Sequence, residues 1–390
     1  MISVSDALDR LFALVSPLGS ETVPLIEAAG RVLAEPVTAR RDQPPFDAAA
    51  MDGYALRGAE ARPGAAFDVI GESAAGHRFD GSVGSGQAVR IFTGAPMPEG
   101  ADRVVIQEDT TRDGDRMTLG ENVDAGPHVR PAGADFRDGQ RFDGPRVLSP
   151  SDVALLAAMN VAEVPVMRRP DIALLATGDE LVMPGETPGP DQIIASNSFG
   201  LHALLAANGA RPRMLPIARD DRASLETAFD LASGADLVVT IGGASVGDHD
   251  LVGAVAESLG MERAFYKIAI RPGKPLMAGR MGEAAMIGLP GNPVSAMVCA
   301  HVFLVPVLRA MLGLGAAPAP RRTASLATPL PANGPREHYM RATLTDDGIR
   351  VADSQDSALL SVLASANVLV IRPPHDPARA AGERVEYLAI

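Results

Sequence analysis

Residues 237–250 read Leu237-Val-Val-Thr-Ile-Gly-Gly-Ala-Ser-Val-Gly-Asp-His-Asp250. The first five residues form an apolar, β-branched run with the length of a buried strand, and two glycines follow immediately. An apolar segment typical of a helix, Leu251–Leu259, comes next. Strand, glycine-rich turn and helix in this order are typical of an α/β domain, whose ligands bind at the carboxyl ends of parallel strands.

The same alternation extends to both sides of this stretch. It predicts strands at Ile172–Leu175, Met214–Ile217 and Phe265–Ile270, a hairpin strand at Ala285–Ile287, and helices at Asn197–Ala207 and Arg222–Ala232. Asn292-Pro293 fits an N-cap followed by proline at the first helical position, so a long helix is expected to run from there to Leu312. We therefore predict a parallel sheet with helices on both faces over residues 169–316.

The remainder of the chain predicts three further domains. Helical spacing marks Asp6–Val15, a short helix at Val23–Leu33 and a helix at Ser151–Met159. Between them, short apolar runs such as Ala88–Phe92 and Arg103–Gln107 alternate with Gly, Pro and Asp, which indicates β-structure. We predict a helical linker domain (1–45 plus 138–168), an inserted β-rich domain (46–137) and a C-terminal β-barrel-like domain (317–390).

Composition excludes several classes of protein. The formal net charge of −13, the lack of Trp and the 4% aromatic content disfavour a nucleic-acid binder, and the charge also disfavours an anionic-membrane binder.

Cys299 is the single cysteine, so neither an intrachain disulfide nor a cysteine zinc cluster can form, and its apolar context favours a buried thiol. The first ten residues lack the pattern of a signal peptide, so a soluble cytoplasmic protein is expected.

Polar clusters follow the predicted strands of the α/β domain. Glu180, Asp220 and Asp250 are carboxylates at three strand ends, and such a set facing a phosphate suits Mg²⁺. Arg271 and Lys274 supply the opposite charge, which suits phosphate or another oxyanion. Only two of the 35 basic residues are lysines, Lys267 and Lys274, so ammonium chemistry is a specific hypothesis there and chance is its alternative.

The loop Gly242–Gly247 brings backbone N–H groups to the start of a helix, where an anion is favoured. It lacks the Gly-Lys-Ser/Thr of a Walker A loop and the Gly-x-Gly-x-x-Gly of a dinucleotide site. It does match Gly-x-Ser-x-Gly, the nucleophile elbow of serine hydrolases, with Ser245 as nucleophile. A hydrolase also needs an acid and then a later histidine at a strand end, but His301 falls in an apolar helix and His338 and His375 fall in the C-terminal domain, so this alternative is disfavoured.

Several motifs occur in a fixed order along nearly the whole chain. They are Ala50-Met-Asp-Gly-Tyr-Ala55, Thr93-Gly-Ala-Pro-Met-Pro-Glu-Gly100, Ala176-Thr-Gly-Asp-Glu180, Gly242-Gly-Ala-Ser-Val-Gly-Asp-His-Asp250, Arg271-Pro-Gly-Lys-Pro275 and Gly288-Leu-Pro-Gly-Asn-Pro-Val-Ser295. As an ordered set they resemble the molybdopterin molybdenumtransferase family, which includes MoeA and the gephyrin E domain.

The resemblance implies a function and an assembly. It implies that the α/β domain is a three-layer molybdopterin-binding domain, and that molybdenum from molybdate enters adenylylated molybdopterin with release of AMP, with Mg²⁺ required. It further implies an elongated homodimer, in which the α/β domain of one subunit faces the β-rich domain of the other. Transient contacts with molybdopterin adenylyltransferase and with enzymes that accept the cofactor are expected.

The resemblance also assigns roles to residues. The implied catalytic residues are Asp52, Thr93, Asp135, Glu180, Asp220, Asp250, Lys267 and Lys274, with Glu180, Asp220 and Asp250 also as metal ligands. The implied substrate-binding residues are Ser196, Asn197, Gly242, Gly243, Ser245, Gly247, Arg271, Pro290, Asn292, Pro293, Ser295 and Arg341.

The chain departs from the family pattern at a few positions. Arg271 stands where relatives usually have Lys, and Ala134 replaces the Glu of the usual Gly-Glu-Asp. Ile194, Ala195 and Ser198 stand where Tyr, Asp and Arg are often found. These departures put the contacts to the pterin in question and leave the reaction type unchanged.

Two further functions stay open at this point. Molybdopterin adenylylation is the sister activity, because that enzyme shares the α/β domain; the long β-rich region and the C-terminal domain favour the insertase. A scaffold module is the other alternative, although neither a partner-binding tail nor a long disordered linker is visible in the sequence. The sequence does not distinguish molybdenum from tungsten.

Overall fold

The computed structural model describes residues 1–243 and 251–390. The chain folds into two compact units, one made of residues 1–21 and 167–390 and the other of residues 22–166.

The first helix, α1 (Val4–Phe12), begins at a capping box. Ser3 Oγ accepts a hydrogen bond of 3.0 Å from the N–H of Asp6, whose carboxylate accepts one of 3.3 Å from the N–H of Ser3. The apolar face of α1 packs against residues 261–266 and 305–311, and Arg10 donates to the carbonyl of Ala264 at 3.0 Å. Residues 1–21 thus belong to the α/β unit, and the prediction that this helix shares a domain with the helix near Ser151 is wrong.

The unit of residues 22–166 is sheet-rich. The elements from its amino-terminal end onward are β1 Ser20–Pro24, β2 Val32–Leu33, β3 Val37–Thr38, β4 Ala48–Ala49, β5 Gly53–Leu56, β6 Ala66–Ser73, β7 Gln87–Ile91, β8 Arg103–Ile106, β9 Thr110–Asp113, β10 Arg116–Leu119, β11 Val129–Arg130, β12 Arg141–Phe142, β13 Arg146–Val147, α2 Pro150–Ala158 and β14 Glu163–Met167.

Two larger sheets organise this unit. One has the order β8-β5-β7-β6-β10-β9, which confirms β-structure in the region predicted to be β-rich. The other, β1-β14-β2-β13, lies within residues predicted as a helical linker domain, so these residues contain a sheet in addition to the predicted helix near Ser151. The predicted helix Val23–Leu33 is replaced by β1, a single 3-10 turn and β2, because Pro24 lacks an N–H donor and Gly30 adopts a φ of +73°.

The α/β part of the larger unit follows the predicted alternation. Its elements are β15 Asp171–Ala176, β16 Leu181–Val182, β17 Ile193–Ile194, α3 Asn197–Ala207, β18 Arg211–Met214, α4 Arg222–Leu231, β19 Leu237–Ile241, α5 Leu251–Ser258, β20 Met261–Tyr266, β21 Ile270–Arg271, β22 Met277–Met281, β23 Ala284–Leu289, α6 Pro293–Cys299, a π-helical turn Ala300–Leu304 and α7 Val305–Met311.

The central sheet has the strand order β18-β15-β19-β23-β22-β20. The first four strands are parallel, as predicted. Strand β22 is antiparallel to β23 because the two-residue turn Gly282-Glu283 joins them, and β20 in turn pairs antiparallel with β22. The predicted strand Met214–Ile217 lies three residues too late, since edge strand β18 contains Arg211 and Arg213 and lacks an apolar signature. Ala173 and Leu175 of β15 pack against α4 and α5.

The helical stretch 293–311 forms the centre of the core. It is long and apolar enough to cross a membrane, with a mean hydropathy of 1.8, but 78% of that window is buried inside the protein. Burial against the sheet therefore accounts for its apolar character.

The C-terminal part contains β24 Arg322–Ser325, β25 Glu337–Thr345, β26 Gly348–Val351, α8 Leu360–Ala364, β27 Val368–Arg372 and β28 Arg384–Ala389. Its sheet has the order β21-β25-β27-β28-β24, with β26 paired to β25. Strand β21 therefore belongs to the C-terminal sheet, although β20 before it and β22 after it belong to the α/β sheet. The boundaries predicted at 137/138 and 316/317 stay predictions.

The placement of α1 can be tested by shortening its fully buried Leu11. Leu11→Ala should lower the free energy of unfolding by about 2–5 kcal/mol, because the cavity it leaves lies in the core of the α/β unit. Hydrogen exchange should then speed up in β20 and α7. The matched variant Leu156→Ala, equally buried on α2, should speed exchange in α2 and β14. Faster exchange in α2 after Leu11→Ala would contradict the assignment.

Candidate functional site

A cavity of about 1120 Å³ opens at the carboxyl ends of β15, β19 and β23. The residues that line it at these ends are Ala176, Ile241 and, directly after β23, Pro290. Twelve of the residues singled out from the sequence line this cavity: Glu180, Ser196, Asn197, Asp220, Gly242, Gly243, Arg271, Lys274, Pro290, Asn292, Pro293 and Ser295. The parallel topology thus brings together side chains that are more than 100 residues apart.

Two glycines form the floor of the cavity after β19. Gly242 and Gly243 have φ angles of +90° and +67°, in the left-handed region that other residues rarely adopt. A Cβ atom at position 242 would lie 2.8 Å from the carbonyl oxygen of Thr177, and one at position 243 would lie 2.2 Å from Cγ2 of Val252. Side chains are excluded at both positions, and the backbone is left open to a ligand.

Acidic residues gather at the ends of β15 and β18. Asp221 caps α4, since its Oδ1 accepts a bond of 2.8 Å from the N–H of Ser224. Asp220 is thereby left to line the cavity, and its own N–H donates to Asp179 Oδ1 at 3.3 Å. Glu180 folds back over Gly178, where a Cβ atom would lie 2.4 Å from Glu180 Oε2. Of the acids at these two strand ends, Glu180 and Asp220 line the cavity.

The basic side of the cavity is the segment 271–275, which carries Arg271 and Lys274. Gly273, at its centre, has a φ of +105° and packs so closely on α6 that a Cβ atom would lie 2.3 Å from Cys299 Sγ. Burial raises the pKa of the Cys299 thiol to about 12, so it is a packing group and the expected buried thiol is confirmed. The positions of Arg271 and Lys274 are thus set by the contact between Gly273 and α6.

His338, which pairs with Arg271 across β21 and β25, reports the charge of this region. Its pKa is lowered to about 4, first by burial and then by the positive charges of Arg271, Arg336, Arg372 and Arg341. Burial is the larger cause of this shift, and the four arginines that add to it place several positive charges behind the basic segment.

A loop of the C-terminal sheet, residues 354–359, completes the cavity wall with Gln355, Asp356 and Ser357. Asn292 Nδ2 donates to Ser357 Oγ at 3.1 Å, and the N–H of Val294 donates to the Ser357 carbonyl at 3.1 Å. Sequence reasoning missed this loop, because the polar stretch Ser354–Ser357 follows β26 and was not connected with any strand end of the α/β sheet. Its concentration of polar side chains was the available signal.

Arg341 holds this loop from behind. Its side chain is buried and is not part of the cavity lining, and its guanidinium donates to Gln355 Oε1 at 3.3 Å and to the carbonyl of Asp356 at 2.8 Å. Its backbone N–H also donates to Gln355 Oε1, at 2.9 Å. Arg341 therefore contacts the wall of the cavity through this loop.

Lys267 is not brought to the cavity. Its backbone has a φ of +72°, and its Nζ lies 5.0 Å from the centre of the Tyr266 ring, a cation–π contact. The two lysines of the chain therefore have different surroundings.

Three residues singled out from the sequence lie in the unit of residues 22–166. Thr93 donates to Asp52 Oδ1 twice, from its N–H at 2.7 Å and from its hydroxyl at 2.8 Å. These two bonds, the backbone one first, lower the pKa of Asp52 below its usual value. Asp135 is exposed, and its N–H donates to the carbonyl of Gln43 at 2.9 Å.

The remaining residues singled out from the sequence, Ser245, Gly247 and Asp250, lie outside the described residues. Within 1–243 and 251–390, no group of three or more His, Cys, Asp or Glu side chains is arranged to hold a metal ion. A metal in the cavity would therefore rest on Glu180 and Asp220, together with donors from elsewhere.

Comparisons with known proteins agree over the length of the chain. Family models match in order: the MoeA N-terminal region (domains I and II) over residues 2–160, a probable molybdopterin-binding domain over 173–310 and the MoeA C-terminal region (domain IV) over 323–390.

Individual relatives give the same result. The molybdopterin molybdenumtransferase of a Nostoc species is 36% identical, over 100% of this chain and 94% of its own length. That of Haemophilus influenzae is 38% identical, over 80% of this chain and 78% of its own. The crystal structure of the molybdopterin biosynthesis MoeA protein from Pyrococcus horikoshii superposes with a TM-score of 0.84 at 30% identity, covering 100% of this chain and 99% of that one.

The contact between Gly273 and Cys299 can be tested by a double-mutant cycle. Gly273→Ala should destabilise the protein by about 2–4 kcal/mol, since it adds a methyl group to a packed contact and forces alanine into a positive φ. Gly282→Ala is the matched control, because φ there is +59° with no atom within 4 Å of the new Cβ, and should cost only the backbone strain.

Urea unfolding of Gly273→Ala, Cys299→Ala and the double variant measures the coupling. Cys299→Ala should partly rescue Gly273→Ala by removing the atom that clashes. Strictly additive effects, or a Gly273→Ala cost equal to that of Gly282→Ala, would show that this contact does not constrain the segment 271–275.

Proposed function

This chain belongs to the molybdopterin molybdenumtransferase family, and we propose that it inserts molybdenum from molybdate into adenylylated molybdopterin with release of AMP. It is a transferase of molybdenum cofactor synthesis. The main support for the proposal is one cavity at the carboxyl ends of the strands. It is lined by the carboxylates of Glu180 and Asp220 and by the cations Arg271 and Lys274. Acidic and basic groups around one cavity suit phosphoanhydride chemistry.

The proposed reaction needs no nucleophile from the protein. The dithiolene sulfurs of the substrate attack molybdenum, and each new Mo–S bond displaces an oxygen that leaves as water after taking up protons. A water molecule attacks the phosphoanhydride, so that one phosphate leaves as AMP and the other stays on the pterin product. Arg271 and Lys274 gather the oxyanion and stabilise the negative charge that develops on the phosphates. The buried, high-pKa thiol of Cys299 fits this division of labour.

The residues present fit a magnesium ion. Mg²⁺ prefers oxygen ligands and is usually held by one or two protein carboxylates plus phosphates of the substrate. Glu180 and Asp220 line the cavity and are the described residues that would hold it, with Asp250 as a further expected ligand outside the described residues. When bound, the ion would neutralise charge on the phosphoanhydride.

We further propose that the chain acts as a homodimer in which Asp52, Thr93 and Asp135 face the cavity of the other subunit. The support is that Thr93 donates two hydrogen bonds to a half-buried, ionised Asp52, which holds the carboxylate in place as a ligand-binding group requires. Sedimentation equilibrium tests the dimer, and a monomer at micromolar concentration would contradict it. A cytoplasmic location and transient contacts with molybdopterin adenylyltransferase and cofactor-accepting enzymes stay predictions.

The test of the proposed function is AMP release from purified adenylylated molybdopterin, with Mg²⁺ and with or without molybdate. The proposal expects AMP only when molybdate is present. Adenylyl transfer from ATP to molybdopterin would instead indicate the sister activity. Cleavage of simple esters with labelling of Ser245 by an organophosphate would indicate a hydrolase.

The two lysines provide a matched pair of variants for the same assay. Lys274→Ala should lower molybdate-dependent AMP release by about a hundredfold or more, the usual cost of losing a preorganised charge-stabilising donor. Lys267→Ala should have a smaller effect, because Lys267 contacts the Tyr266 ring. Thermal midpoints of both variants should stay close to that of the parent chain.

Lys274→Arg tests whether the ammonium group itself is needed in a chain that otherwise uses arginine. Full activity of Lys274→Arg would show that any cation suffices at that position. Full activity of Lys274→Ala would remove this residue from the mechanism.

A further inference from the structure

Large apolar side chains are exposed along one wall of the cavity. Ile193 is 58% exposed and Ile194 is 39% exposed, and both line the cavity together with Leu181. Exposed apolar groups concentrated beside a cavity are typical of a surface that a ligand covers.

The wall is short and firmly attached to the acidic side of the cavity. It consists of β16 and β17, two residues each, which pair in parallel with Leu181 opposite Ile193. The N–H of Ile193 donates to the carbonyl of Glu180 at 2.7 Å, and the N–H of Ala195 donates to the carbonyl of Val182 at 2.9 Å. Leu181 directly follows Glu180, and Ile193 lies on the neighbouring strand, about 4.8 Å away, so the apolar wall begins beside Glu180.

Polar groups border the apolar wall on its other side. Ser196 and Asn197 follow Ala195 directly and also line the cavity. Asn197 is held in place by a bond of 2.7 Å from its Nδ2 to the carbonyl of Gly291. The wall therefore offers aliphatic contact across its middle, and hydrogen-bonding groups at its edge.

A flat nitrogen heterocycle has matching properties, because its faces are apolar and its edges carry donors and acceptors. We propose that Leu181, Ile193 and Ile194 form the subsite for a planar bicyclic heterocycle, packed face-on against these side chains. This inference rests on the proposed function, since adenine and pterin, the two ring systems of the proposed substrate, both belong to this chemical class. The phosphates would then lie toward Glu180, next to the wall.

The lack of Trp in this chain permits a direct test. Ile194→Trp introduces a single indole into the proposed subsite. Leu231→Trp introduces one at a comparably exposed position on α4, where Leu231 is 49% exposed and does not line the cavity. AMP and 6-hydroxymethylpterin are titrated separately into each variant. The ligand whose ring occupies the wall should change the tryptophan emission of the Ile194→Trp variant in a saturable way. The change seen in the Leu231→Trp variant is subtracted as the background.

Calorimetry on the full chain supplies the second readout. The variants Ile193→Ser and Ile194→Ser should each weaken binding of that same ligand by about tenfold, because apolar contact is lost. Met183 is exposed but does not line the cavity, so the control variant Met183→Ser should leave the affinity unchanged. The ligand that responds in both experiments identifies the ring as adenine or pterin.

Three outcomes would overturn the subsite. In the first, AMP or 6-hydroxymethylpterin binds the parent chain, but the emission of the Ile194→Trp variant does not respond and the Ser variants lose no affinity. That result would leave the proposed function standing. The second is a change in sedimentation alone, which would make the wall a contact with a second copy of the chain. The third is that the parent chain binds neither ligand, which contradicts both the subsite and the proposed function.

Discussion

The site depends on the pairing of β21 (Ile270–Arg271) with β25 in the C-terminal sheet. Ile270 pairs with Glu337 and Arg271 with His338, and the N–H of Glu337 donates to the carbonyl of Ala269 at 3.0 Å. The preceding strand β20 and the following strand β22 both lie in the α/β sheet, so this part of the chain is held by two sheets. The next residues, 271–275, are fixed again where Gly273 packs on Cys299 of α6. The two cations of this segment are therefore preorganised by the fold, as stabilisation of a developing anion requires.

The same arrangement explains how the C-terminal sheet takes part in the site. Arg341 of β25 is buried and donates to the loop 354–359, and Ser357 of that loop contacts Asn292 and Val294 at the start of α6. One strand thus supports the basic segment on one side and the loop on the other. Four guanidinium groups, those of Arg271, Arg336, Arg372 and Arg341, add to the effect of burial on the pKa of His338, so positive charge is concentrated near this strand and favours anions in the cavity.

Several features could be predicted from the sequence because their signals are local. The strand Leu237–Ile241 and the helix Asn197–Ala207 have the predicted bounds, and the strand-end rule led to the cavity. The location of α1 could not be predicted, since an apolar stripe shows that a helix is covered but not by which surface. The support from Arg341 and the loop 354–359 was missed because it depends on tertiary contacts across two sheets. Lys267, singled out by family resemblance, lies on the Tyr266 ring instead of in the cavity.

The proposed function requires that the cations of the segment 271–275 collect the oxyanion at the carboxyl ends of the strands. Anomalous diffraction at the molybdenum absorption edge, from crystals of the full chain soaked in molybdate, measures this directly. The account predicts an anomalous peak inside the cavity, within hydrogen-bonding distance of Lys274 or Arg271, that disappears in Lys274→Ala. A molybdenum peak outside the cavity, with none beside this segment, would contradict it.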